Sequence, residues 1–333
     1  MQLSCLRSRP GTGFRLRRFI LQVCLAGWGL ALLVAPAGAA APSGQLLVAA
    51  TIVPLGDFCR RLGGDLVQVQ VLVPPGASPH VFEPAPSVMA RASQARVFVY
   101  IGAGMEPWAT KLLHSRGGDG QVVVEAAQGL QLLQETQHRG HEESGKRNPA
   151  ASHQEKEAPP EKHPGGNPHI WLDPVLSQDI CRKIAAALIQ ADPGHRAQYE
   201  ANLAEYLVAL EALHQEIQQQ ARAWTIRNFV SFHPSFSYFA RRYNLHEVGV
   251  IEAAPGREPT PRHLQNLVNA IRRYGIKVVF AEPQLNPRVA EVIAQEAGVK
   301  VLMLDPIGGP PPYGSDYLKL MRYNLAALDE ALR

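Results

Sequence analysis

The stretch that decides the fold class runs Asn228-Phe229-Val230-Ser231-Phe232-His233-Pro234-Ser235-Phe236-Ser237-Tyr238-Phe239-Ala240-Arg241-Arg242-Tyr243-Asn244-Leu245-His246-Glu247-Val248-Gly249-Val250-Ile251. Asn228 to Phe232 is apolar and β-rich, and Pro234 closes it because proline fixes φ and carries no N–H. Phe236 to Tyr243 reads as a short helix, and His246 to Ile251 as a second strand. A strand, a helix and a strand within two dozen residues form a βαβ unit, which predicts a parallel sheet covered by helices.

The pattern repeats outward in both directions. Toward the C-terminus it predicts a helix over Pro261 to Tyr274, a strand over Ile276 to Ala281 and a helix over Arg288 to Ala297. A strand over Lys300 to Leu304 and a closing helix over Tyr317 to Leu332 complete this half. Toward the N-terminus, Tyr199, Leu203, Tyr206, Leu207, Leu210, Leu213 and Ile217 recur at spacings of three and four, and no Pro or Gly falls between His195 and Ala223. That is one long helix, roughly 40 Å at about 1.5 Å per residue. Before it, Leu46 to Ala50, Val67 to Val73, Arg96 to Ile101 and Gln121 to Glu125 read as strands, with a helix near Leu55 to Leu62. The expectation is an α/β protein: two similar lobes with central parallel sheets, 45–190 and 225–333, joined by a long helix at 191–224.

Two segments stand outside this scheme. Residues 1–39 carry five arginines and no acid, then an apolar run from Phe19 to Val34 and the small residues Ala37-Gly38-Ala39. This is a cleavable secretory signal, too short for a membrane span. The whole chain has 33 basic and 29 acidic residues, and without the signal it has 28 against 29. That balance argues against a nucleic-acid partner. Thr136 to Pro168 is polar and rich in Pro, Gly and charge, so it reads as a disordered loop. It carries His138, His141, His153 and His163. Of four cysteines, Cys5 and Cys24 leave with the signal; Cys59 and Cys181 remain, as two small buried residues or one disulfide.

The candidate chemistry lies at strand ends, where open α/β sheets gather their ligands. His80 follows the strand Val67 to Val73, His233 ends Phe229 to Phe232, and Asp305 ends Val301 to Leu304; His169 opens His169-Ile170-Trp171-Leu172-Asp173-Pro174. Three imidazoles and one carboxylate suit Zn2+ in four-coordinate geometry, whereas Ca2+ needs six to eight oxygens.

The segments Gly76-Ala77-Ser78-Pro79-His80-Val81-Phe82-Glu83-Pro84, His169 to Pro174 and Ser231 to Phe239 resemble three hallmark segments of one family. Glu258-Pro259-Thr260, Phe280-Ala281-Glu282-Pro283-Gln284 and Leu304-Asp305-Pro306 resemble its later ones. The family is the metal-specific solute-binding proteins of ABC transporters, the ZnuA/TroA-like group, and the likeness extends from about Leu46 to Leu332. It implies a periplasmic, monomeric, non-enzymatic protein that captures a metal ion between its lobes and delivers it to an ABC transporter membrane permease. It also implies His80, His169, His233 and Asp305 as ligands, with water or Glu83 as the alternatives for the fourth place. Glu282 would orient a ligand imidazole, and the loop would collect zinc.

His233, where manganese-type members tend to carry Glu, points to Zn2+ over Mn2+. A manganese-selective homologue, a metal-dependent adhesin and a zinc hydrolase are the other readings. The hydrolase lacks a His-Glu-x-x-His motif: His141-Glu142 is followed by Gly145 and His246-Glu247 by Val250 at the required place.

Overall fold

The computed structural model describes residues 44–115, 120–134, 166–252 and 258–333. Residues 1–39, read from the sequence as a signal, and most of the histidine-bearing loop lie outside them. In the first half, β1 (Leu46–Ala50), α1 (Val53–Gly63), β2 (Val67–Val71), α2 (Pro86–Ala92), β3 (Val97–Tyr100), α3 (Pro107–Ser115) and β4 (Val122–Glu125) build a parallel sheet of order β2-β1-β3-β4. After α4 (Pro174–Ala191) and α5 (Arg196–Arg222) come β5 (Asn228–Ser231), α6 (Ser237–Arg242), β6 (His246–Val250) and α7 (Pro261–Tyr274). β7 (Val278–Ala281), α8 (Arg288–Ala297), β8 (Lys300–Met303) and α9 (Tyr317–Leu332) follow. The second sheet, order β6-β5-β7-β8, is also parallel throughout. The α/β class and paired sheets read from the sequence are present.

The local reasons are ordinary ones. All four residues of β7, Val-Val-Phe-Ala, are buried, as expected for a strand covered on both faces. Thr260 caps α7 by accepting the His263 N–H, and Gly275, in the left-handed region at φ 61°, ends it. Pro234 starts one turn of 3-10 helix, so α6 begins at Ser237, one residue later than the sequence pattern predicts.

In both sheets the strand order reverses beside the first strand, and the reversal opens a crevice at the strands' carboxyl ends. In the first sheet Glu106 plugs that crevice: it accepts bonds from the Thr51 hydroxyl (2.6 Å) and the Ile101 and Gly102 N–H groups. In the second sheet, β5 and β7 flank the crevice and lead to His233 and Glu282.

One apolar core joins the halves. It runs from Val48 and Phe98 of the first sheet through Leu188, Leu210 and Leu213 of α4 and α5 to Phe229, Phe280 and Tyr317. A second cluster, including Val230, Phe232, Ile271 and Val279, belongs to the second sheet alone. The 27 residues of α5 pack against α1, α4 and α9. Polar ties cross as well. Arg242 of α6 pairs with Asp173, which caps α4, and the Trp171 indole N–H donates to the Pro306 carbonyl at 2.7 Å.

Cys59 and Cys181 are buried free thiols. Burial pushes the Cys59 thiol up to about 12, which leaves it without the thiolate that redox chemistry needs. Among the described residues, no helix is long and apolar enough to cross a membrane.

Candidate metal centre

Three elements deliver three imidazoles to one point. His80 rides on the loop after β2, a proline-rich segment whose sharp turn uses Gly76 at φ 82°. His169 stands at the start of a 3-10 turn, Ile170–Leu172. His233 follows β5, held by Pro234. His169 and His233 are 2% and 4% exposed, and His80 is half-buried. Their ring centroids lie 4.9 to 5.5 Å apart with planes inclined at 47° to 84°, so the rings fan around a common centre.

The nitrogens carry the chemistry. The Nε2 atoms of His80 and His169 are 3.0 Å apart, and those of His169 and His233 are 3.1 Å apart. Each histidine offers a ligand atom within 4.8 Å of the others. Four ligands at a Zn–N distance of about 2.0–2.1 Å stand about 3.3 Å apart along the tetrahedral edges, only slightly wider than the spacings found here.

Hydrogen bonds behind the rings fix the tautomers. His169 Nδ1 lies 2.9 Å from Asn167 Oδ1, and the Asn167 amide nitrogen donates to the Pro234 carbonyl at 2.7 Å, which settles which end of the amide is oxygen. His233 Nδ1 lies 2.7 Å from Glu282 Oε1. Both partners are acceptors, so each Nδ1 bears the proton and each Nε2 presents a lone pair. With both rings neutral, two lone pairs facing each other at 3.1 Å repel unless a proton or a metal ion sits between them. Three imidazoles so placed could hold a metal ion, with partners that orient the rings.

The surrounding field also favours a cation. Burial would depress the His233 imidazolium, but the carboxylates of Glu282, Glu247 and Glu252 outweigh it and raise its pKa above the ordinary value. Burial pushes the Glu247 carboxyl up to about 7, against the Ser231 and Ser237 hydroxyls that it accepts from.

Of the residues expected to ligate, the structure brings His80, His169 and His233 together but not Asp305. Asp305 is fully buried. Its Oδ1 accepts from the Gln284 amide (2.7 Å) and from the Ile307 and Gly308 N–H groups (both 2.9 Å), and its Oδ2 accepts from the Tyr313 hydroxyl. The ligand atoms that lie within 4.8 Å of one another are those of the three histidines, and Asp305 stands outside that group with its carboxylate held by Gln284, Tyr313 and two backbone amides. Glu83 is exposed and outside the group. Two residues escaped the sequence reading. Asn167 had a signal, an Asn two positions before a histidine, where its side chain bonds the backbone ahead; it accepts the His169 N–H at 3.0 Å. Gln284 had none beyond its place near Glu282.

A family model described as "ZnuA: Zinc-uptake complex component A periplasmic" matches residues 48–331. The chain is 29% identical over 325 residues to the high-affinity zinc uptake system protein ZnuA of Bacillus subtilis, covering 94% of this chain and 96% of that one. A crystal structure of ZnuA superposes with a TM-score of 0.73 at 33% identity, covering 87% of this chain and all of that chain. The laminin-binding protein Lmb of Streptococcus agalactiae, described as bifunctional with adhesin and metal-transporting activity, superposes at 0.71 with 29% identity, over 86% of this chain and all of its own.

Proposed function

The chain belongs to the ZnuA family of periplasmic zinc-uptake components, and from that membership we propose that it captures Zn2+ through His80, His169 and His233 and hands it to an ABC transporter membrane permease. The observation that carries this reading is the convergence of the His169 and His233 Nε2 lone pairs at 3.1 Å, each ring held by an acceptor at Nδ1. The ion is cargo, not a catalytic cofactor, and the family is one of transport proteins rather than enzymes.

Location and selectivity follow from the same premise. The protein works outside the cytoplasmic membrane, after a signal over residues 1–39 that lies outside the described part of the chain. An all-imidazole set favours Zn2+ over Mn2+, which prefers carboxylate and water oxygens. His80 and His169 come from the half spanning 45–190 and His233 from the half spanning 225–333, so one ion ties both lobes as a monomer.

The test is metal content. Protein purified without added metal, then challenged with both ions, is expected to retain about one zinc per chain and to exchange bound Mn2+ for Zn2+. Manganese held against excess zinc, or no zinc at all, would overturn the reading.

A further inference from the structure

The fourth coordination position is the part of the site that the three imidazoles leave undetermined. The cavity at the centre has a volume of about 10 Å³, and His80, His169, His233, Glu282 and Gln284 share its lining. A space of that size holds about one water-sized sphere.

Gln284 meets this cavity with a fixed orientation. Its amide nitrogen donates to Asp305 Oδ1 at 2.7 Å. An ionised carboxylate only accepts, so the amide atom that faces Asp305 is the nitrogen and the other is the oxygen. Asp305 is itself immobilised by Ile307, Gly308 and Tyr313. The Gln284 Oε1 atom is buried and has no hydrogen-bond partner among the described residues. A buried carbonyl oxygen without a donor is uncommon in a folded protein and calls for a reason.

We propose that Gln284 Oε1 accepts a hydrogen bond from a water bound at the fourth position of the zinc ion, and that Asp305 serves the site by aiming Gln284. A metal-bound water is a strong donor, and the amide oxygen supplies the acceptor it lacks among the imidazoles, whose ring nitrogens all point at the ion or away from it. The fourth ligand is then neutral and exchangeable, as a carrier that must release its cargo requires. Gln284 is thus a positioning residue, and it lies three residues past the end of β7.

The inference rests on the three-histidine reading, and the experiment separates the two. The full chain is loaded with Co2+, whose visible d–d bands report tetrahedral coordination, and titrated with azide, which displaces bound water. In the unaltered protein azide is expected to change the bands. In Gln284→Met, which keeps the bulk and removes the acceptor, the midpoint should fall about three- to tenfold because the water is held less firmly. Asp305→Asn should shift it in the same direction, and the double variant no further than the larger single shift.

Bands that azide leaves untouched in the unaltered protein would mean a protein group fills the fourth position, and would overturn the proposal. Identical midpoints in Gln284→Met and the unaltered protein would overturn it as well, whether or not Asp305→Asn folds. Absence of any tetrahedral Co2+ spectrum would instead count against the three-histidine site itself.

Discussion

Replacing Glu282 by glutamine tests how far the carboxylate behind His233 sets zinc affinity. The two side chains are 2% and 5% exposed and their bond is 2.7 Å, so the variant keeps an acceptor in place and removes only its charge. Charge-assisted bonds of this kind are roughly twice as strong as neutral ones. Mutating the partner behind a metal-bound imidazole costs about 10- to 100-fold in affinity, or about 1.4–2.7 kcal/mol, and a change that spares the acceptor belongs at the lower end.

The pH dependence gives a second handle. In the unaltered protein the carboxylates raise the His233 pKa, so protons begin to compete with zinc above the ordinary histidine value of about 6.5. In Glu282→Gln the largest of those influences is gone, burial prevails and competition starts at lower pH. The affinity penalty should be greatest near pH 8 and narrow toward pH 5.5. Competition against a chromophoric chelator across that range measures both quantities, with circular dichroism to check folding. Equal affinities at pH 8, or a penalty that widens on acidification, would refute the reasoning.

His233→Ala should remove most of the zinc affinity, about 100-fold or more, while His153→Ala in the loop should leave it nearly unchanged; equal losses in chelator competition would mean the ligands are misassigned. Gly309→Ala should lower the melting temperature, because at φ 109° a Cβ would stand 2.7 Å from the Cβ of Pro75. Overpacking of that kind costs about 1–3 kcal/mol, and because it pushes the His80 loop outward, zinc affinity should fall with it. Without metal, thermal stability should decline as pH rises from about 6 to 8. The raised His233 contributes stability fully present below its unfolded pKa and lost as pH climbs through the folded one; Glu106 and Glu247, pushed up to about 7 by burial, are penalised once ionised. Zinc-saturated protein should show the opposite slope in the same melting series, and parallel slopes would contradict the linkage.

The fold was legible wherever local chemistry acted alone. Phe229-Val230 with Pro234 behind it, and Thr260 and Gly275 around an apolar stripe, mark a strand and a helix without help from distant residues. The three histidines were legible from the resemblance of the segments that carry them, and for His80 and His233 also from their places after strands of a parallel sheet. Asp305 has the same placement and still does not join them. What separates it from His233 is the company of Gln284, Tyr313 and two backbone amides. The two amides belong to a local turn just after Asp305, whereas Gln284 is brought to it from 21 residues away, which spacing does not encode. Asn167 and Gln284 were missed for a related reason: neutral amides carry no charge or ligand signature, and their roles exist only once Pro234 and Asp305 have been brought beside them.

The continuous hydrocarbon interior behind the cleft, from Val48 to Tyr317, has a consequence for how the cargo leaves. Swinging the two sheets apart would wet that interior, so the rear of the molecule acts as a rigid backbone and release has to begin at the rim. The loop that bears His80 has exposed prolines, Pro74 and Pro75, before its turn and a half-open imidazole after it. Detaching that single tooth would leave the ion held by two rings against the back wall, ready to be pulled outward by whatever receives it.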